Sequence, residues 1–365
     1  MSIPDREHPY FNAFNQIPQI GSVRFRKLMN FFPDLETAWR ANISEYSQAG
    51  LEESVIQQIL EARRNIDPDG EFEKLERAQT KLITYNDEAY PSQLKEIPNP
   101  PITLYVRGEI LPQDEMAIAI VGTRKYTTYG SRVTQDLVTS LVRANLTIVS
   151  GLALGIDSLA HHTATQSQGR TLAILACGVD TVYPASNRMI AERILDGKGA
   201  LISELPLGTP PLKHHFPHRN RIISGISLGT VIIEAAADSG SLITARHALE
   251  QNRQVFAVPG SIYNPGSVGP NNLLKMGAKP VTCASDILED LNLGHLQEEL
   301  VTREVLADNP EEEKILNLLG KEPLHVDSIT KTTGLPASAV AATLTIMEMK
   351  GKVRNLGANQ FVKCR

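Results

Sequence analysis

The feature that most limits the fold lies in the middle of the chain. Between residues 116 and 290, short apolar runs rich in β-branched residues recur: Ala117–Val121, Leu146–Val149, Thr171–Ala176, Ala200–Ser203, Thr230–Ile233, Val255–Val258 and, last, Pro280–Cys283. Helical stretches separate several of them. Each run is apolar throughout rather than alternating, as in strands covered on both faces. Covered strands alternating with helices predict an α/β fold with a doubly wound, mostly parallel sheet.

At 365 residues the chain is too long for that one core, and the flanks read differently. Residues 1–65 predict a helical, helix-hairpin-helix-like module. Ile17-Pro18-Gln19-Ile20-Gly21 and Ala49-Gly50-Leu51 are turns, each followed by apolar residues at helical spacing. Such a turn is either a packing device or a place where backbone N–H groups meet a phosphate. The sheet domain is expected over 66–292. Its first part carries strand-like Lys81–Tyr85 and Ile102–Val106, separated by Pro98-Asn99-Pro100-Pro101, which forbids regular structure. Residues 293–310 are polar and acidic and read as a linker. Residues 311–365 give three short helices and a hairpin turning at Gly357, the order of a winged helix.

No apolar run reaches the roughly 18 residues that span a bilayer. The first residues, MSIPDREHPY, lack the basic and apolar regions of a secretion signal. Cys177, Cys283 and Cys364 are scattered, with neither metal nor disulfide spacing. A cytoplasmic protein without membrane contact is expected. Net charge is −5, yet Met116–Ser285 holds 15 Lys and Arg against 9 Asp and Glu. That local +6 leaves −11 for the remainder and points to an anionic partner.

Ligands of an open parallel sheet bind beyond the carboxyl ends of its strands. Here those ends run into unusual loops: Gly122-Thr123-Arg124; Gly151 to Asp157, with Gly155; Gly178 to Pro184; Lys213 to Arg221; Glu234 onward to Gly240 and Ser241; and Pro259-Gly260. Glycines admit close backbone approach, and N–H groups at helix starts suit phosphate. Neither a P-loop nor a G-x-G-x-x-G after the first strand is present. No acidic residue falls between Glu204 and Glu234, and that stretch places Lys213, Arg219 and Arg221 around one aromatic, Phe216. Cations bracketing an aromatic face suit an unpaired strand, whose phosphates pair with the charges while a base stacks. Phe216 could equally be buried beside Pro217, and Arg219 and Arg221 could brace loops. His214, His215 and His218, or Asp157 with His161, invite a metal, but Asp157 stands where a helix cap belongs. Glu234 is either a general base or a tie for loop N–H groups. In the C-terminal module, the helix from Pro336 shows no Lys or Arg before Lys350, so a protein contact or regulatory role suits it better than groove reading.

Taken together, Gly122-Thr123-Arg124, SGLALGID (150–157), GVDTVYP (178–184), FPHRNRIISG (216–225), SGSLITA (239–245) and the VPG to SVGPNNLL stretch (258–274) resemble the DNA-processing protein A (DprA/Smf) family. The blocks span most of the central domain in order. The resemblance implies an extended Rossmann-like domain that binds single-stranded DNA without strong sequence preference. It also implies a non-enzymatic homodimer that protects incoming strands in natural transformation and helps load the RecA recombinase. Arg124, Lys213 and Phe216 fall on the family's DNA-contacting positions; Asn220 and the loop residues Gly122, Gly151, Gly155, Gly240 and Ser241 complete the expected interface. No cofactor or metal is expected. The rival reading is a small-nucleotide sensor or hydrolase that uses the same glycine loops, with Glu234 as its base.

Overall fold

The computed structural model describes residues 3–293, 309–319, 323–350, 352–357 and 359–363. Among them, Ile3–Asn15 (α1), Ser22–Phe31 (α2), Leu35–Arg40 (α3), Ile43–Gln48 (α4), Glu53–Asn65 (α5) and Pro68–Arg77 (α6) form the amino-terminal module. The sequence reading missed α6, although its signals are present. Asp67 accepts from the Gly70 N–H and Pro68 opens the first turn. The helix packs back on α1 and so extends the helical module past residue 65.

The sheet is built from Lys81–Thr84 (β1), Thr103–Gly108 (β2), Ala117–Val121 (β3), Thr147–Ser150 (β4), Thr171–Ile174 (β5), Ala200–Ser203 (β6), Gly229–Ile232 (β7), Gln254–Ala257 (β8) and Lys279–Pro280 (β9). Its order is β1-β2-β6-β5-β4-β3-β7-β8-β9. From β6 to β9 all neighbours are parallel, while β1 and β2 add an antiparallel edge. The helices Ser92–Lys95 (α7), Thr128–Arg143 (α8), Ile156–Gln166 (α9), Arg188–Asp196 (α10), His215–Gly225 (α11), Ser241–Glu250 (α12), Val268–Lys275 (α13) and Ala284–Asp290 (α14) fill the connections. The chain winds outward from β3 through β4, β5 and β6, then returns to β7 on the other side of β3. The switch point therefore lies between β3 and β7.

The pleat sorts the strand side chains. Leu172 and Ile174 join Ile222 and Ile223 of α11 and Ala245 and Ala248 of α12 on one face. On the other, Ala173, Leu175 and Leu201 pack with Ala191 and Ile194 of α10 and with Phe11, Phe14 and Phe25 of the helical module. The same cluster includes Tyr105 of β2, whose hydroxyl donates to Asn12 at 2.9 Å and accepts from Asn15 at 3.2 Å. Module and sheet thus share one core, and residues up to Leu293 form one compact unit.

The last expected strand, Pro280–Cys283, shrinks to a two-residue edge. Pro280 has no N–H to give, and the Asp286 carboxylate takes the N–H groups of Thr282 and Cys283 for the start of α14. Of the predicted linker, residues 294–308 lie outside the described residues, as does Cys364.

The second unit holds Pro310–Leu318 (α15), Leu324–His325 (β10), Val326–Thr333 (α16), Ala337–Met349 (α17), Val353–Asn355 (β11) and Gln360–Lys363 (β12). The three strands run antiparallel in the order β10-β12-β11, which is a winged helix. Ile315, Ile329, Val340, Leu344, Met347 and Phe361 form its core. Glu312 is buried there and pairs with Lys350 at 3.2 Å and Lys352 at 2.5 Å. Among the described residues, no helix is long and apolar enough to cross a membrane.

Candidate nucleic-acid interface

Parallel strands aim all their carboxyl ends at one edge, so the loops after β3 to β8 form a single rim. The switch point on this rim is filled by the protein itself. Glu234, just beyond β7, is 1% exposed. Its carboxylate accepts from the Thr127 N–H (2.8 Å), the Thr127 hydroxyl (2.6 Å) and the Asn264 amide (3.3 Å). A side chain at Gly130 would collide with it. The carboxylate thus pins the loop after β3 to the loop after β8, which is the second of the two roles open to it in the sequence.

The glycines divide by role. An added Cβ at Gly122 would lie 2.7 Å from Ile156 and 2.9 Å from the Glu234 carbonyl, so its absence lets α9 seat against β3. One at Gly151 would lie 2.6 Å from the Arg219 guanidinium. Gly155 has φ +91 and presses on the Thr123 carbonyl, whose oxygen accepts the Ile156 N–H at 3.1 Å. Of the four glycines expected at the interface, Gly240 alone faces open space. Its carbonyl accepts from the Asn220 amide at 3.2 Å, and Ser241 pairs with Ser239 at 2.8 Å beside it.

The arginines of the RNR block turn inward. Arg219 is 4% exposed and Nη1 donates to the carbonyls of Gly151, at 2.7 Å, and Ile174. Burial lowers its pKa to about 10, an effect the buried Asp157 opposes and Arg124 reinforces. Arg221 is 7% exposed and pairs with Glu204. Neither guanidinium is exposed, and the bonds described are those of loop braces, one of the two roles open to these arginines in the sequence. Asp157 accepts from the Gly151 N–H at 3.1 Å, and burial raises its pKa. His161 is fully buried, touches the Thr171 hydroxyl at 2.7 Å, and burial depresses its pKa to about 3. Among the described residues, no group of three or more His, Cys, Asp or Glu is placed to hold a metal ion.

What reaches the rim is cationic and aromatic. Arg124, Lys125, Lys213, His214 and His218 are exposed. Phe216, half-buried, stands edge-on to Tyr183 with centroids 5.8 Å apart, and the Arg219 guanidinium lies 6.0 Å from its ring. Arg219 therefore ties the two cationic groups together. It sits under Phe216, which itself follows Lys213 by three residues, and the charge of Arg124 helps lower its pKa. Most carboxylates nearby are withdrawn: Asp157 and Glu234 are buried, half-buried Glu204 pairs with Arg221, and Asp180 accepts the Gly208 N–H at 3.0 Å, while Asp238 stays exposed. Exposed Tyr126, Tyr129, Tyr183 and Tyr263 add ring surface that the sequence reading passed over. Their signal was available, since all four stand in strand-end loops or at the first turn after one.

Comparison with known proteins agrees with this architecture. The family described as DNA recombination-mediator protein A matches residues 81–292, and the DprA winged helix domain matches 302–359. Protein Smf of Synechocystis is 34% identical, covering 95% of this chain and 96% of its own. The DNA processing protein DprA of Bacillus subtilis is 44% identical over 57% of this chain and 70% of its own. Among solved structures, DNA processing protein A of Streptococcus pneumoniae superposes with a TM-score of 0.67 at 32% identity, covering 77% of this chain and 97% of that one. That of Helicobacter pylori, described for its single-stranded DNA binding mode, gives 0.53 at 29% identity and covers 59% and 96%. With its central domain, its winged helix and nearly the full length of a relative all matched, the chain belongs to the DNA processing protein A (DprA/Smf) family.

Proposed function

We propose that the rim binds single-stranded DNA without strong sequence preference, and that the chain acts as a non-enzymatic mediator of recombination. Arg124 and Lys213 hold phosphates, Phe216 with Tyr183 offers ring surface to a base, and the loop N–H groups and Asn220 line the path. In the finer reading the protein is a cytoplasmic homodimer that protects incoming strands during transformation and hands them to RecA. The observation that carries the proposal is that Arg124 and Lys213 are both exposed on strand-end loops of one rim where, Asp238 apart, the carboxylates are buried or engaged. The relative from Helicobacter pylori, described by its single-strand binding, supports it.

The rival reading needs Glu234 as a base, but all its described hydrogen bonds run to Thr127 and Asn264 and its side chain is walled by Gly130. A charge-reversed pair, Arg124→Glu with Lys213→Glu, should abolish the anisotropy change of a labelled oligothymidylate while circular dichroism and melting stay as in the parent. Unchanged affinity would overturn the assignment.

A further inference from the structure

A concave site lies between the helical module and the segment that carries Lys213 and Phe216, and Arg219, which holds the Gly151 loop, is part of its lining. It is a cavity of about 790 Å³, within the roughly 300–1,000 Å³ of small-ligand sites. Its apolar lining comes from Ile17, Ile20, Val23, Ile102, Leu175 and Leu212. The rest of the lining is rich in donors: Arg24, Lys27, His214, His218, Arg219 and Arg221. Both acids in it are already paired. Arg24 Nε holds Glu52 at 3.0 Å, and Arg221 and His218 face Glu204. Although burial works against its charge, these neighbours keep the Glu204 carboxyl below its ordinary range.

Two observations mark the cavity as a site rather than a packing gap. First, buried lining side chains keep donors with no acceptor. Arg221 is 7% exposed, yet its Nε and Nη1 have no partner; Arg219, 4% exposed, leaves Nε free; Thr103, 2% exposed, leaves its hydroxyl free. Buried donors in native proteins nearly always find partners, and a guanidinium edge fits a phosphate. Second, α2 starts at the cavity. Its N-cap, Gly21, carries no capping side chain, which leaves the first N–H groups of a ten-residue helix near Arg24 and Lys27.

We infer that this cavity binds one nucleotide 5′-phosphate unit, its base against the apolar lining and its phosphate on the donors of Arg24, Lys27, Arg221 and α2. The unit is either a free mononucleotide or the phosphorylated end of a strand leaving Phe216. Only the second source rests on the proposed rim.

Gly21 provides the test. It lines the cavity, its φ of −81 suits any residue, and an added Cβ meets nothing within 4 Å. Gly21→Trp should therefore plug the cavity without disturbing the fold, and Arg24→Gln with Lys27→Gln removes charge from half-buried positions outside the core. The full chain is titrated with thymidine 5′-monophosphate by calorimetry, and with 5′-phosphorylated and 5′-hydroxyl oligothymidylate by anisotropy. Binding of the mononucleotide that weakens about tenfold in either variant identifies a free-nucleotide site. No mononucleotide binding, but a 5′-phosphate preference in the oligomer that both variants erase, identifies a strand-end site. Absence of both signals overturns the inference, even if Arg124→Glu with Lys213→Glu still abolishes strand binding and the rim stands. Mononucleotide binding that survives the rim variant would keep the cavity when the rim assignment has failed.

Discussion

Phe216 and Arg219 are three residues apart and have opposite fates. Phe216 is half-buried beside Tyr183, with ring surface left to offer. Phe216→Ala should weaken oligothymidylate binding by about 1–3 kcal/mol, roughly five- to 150-fold, with little change in melting. Arg219→Ala should do the reverse in character. It strips the donors from the Gly151 and Ile174 carbonyls and leaves Asp157 without its cation, so a loss of about 2–4 kcal/mol in denaturant unfolding is expected. If Arg219→Ala leaves stability intact, the bracing role is wrong. The sequence showed both as an aromatic among cations and could not say which faced out. The deciding signal is helical phase. Arg219 stands three and four residues before Ile222 and Ile223, on the stripe α11 buries. Lys213 precedes the helix and escapes that stripe.

At the scale of elements, α9 carries a titration that can be read by melting. His161 has a folded pKa of about 3 against an ordinary 6.5, so the unfolded chain takes up a proton first as pH falls. The stability it contributes is whole above pH 6.5 and declines from there toward pH 3, by at most about 1.4 kcal/mol per pH unit. Asp157, raised, works in the opposite direction as pH falls, so the share of His161 is isolated by comparing parent and variant between pH 7 and pH 5. His161→Asn should flatten the fall in melting temperature across that interval; an equally steep fall would assign the slope elsewhere. Elements were legible where the apolar runs were long. The strands β3 to β8 stand within a residue or two of their expected places because each is buried on both faces. The helix α6 and the short β9 were hidden, since the first lies in a charged stretch with one buried residue, Leu75, and the second is an edge whose hydrogen bonds a carboxylate intercepts.

For the whole molecule, the uneven charge has a measurable signature. If Arg124 and Lys213 each neutralise one phosphate, the slope of log K against log salt should flatten by about 1.4 in the double charge-removal variant, Arg124→Gln with Lys213→Gln. In the winged helix, Glu312→Ala leaves Lys350 and Lys352 without their buried acceptor and should lower the melting of that unit, while the unit ending at Leu293 melts as before. The winged helix was legible from the order of its elements, whereas the joint between helical module and sheet was not. Pattern alone reads 1–65 as a separate piece; the contacts that fuse it to the sheet depend on Tyr105, Leu175 and Leu201, far away in sequence. Anyone trimming the protein to its catalogue domain should expect trouble from that union. A fragment begun at residue 66 would leave Tyr105 without the amides of Asn12 and Asn15 and strip one greasy flank of the sheet bare, so insolubility of such a piece would speak of a missing wall and not of an intrinsically poor folder.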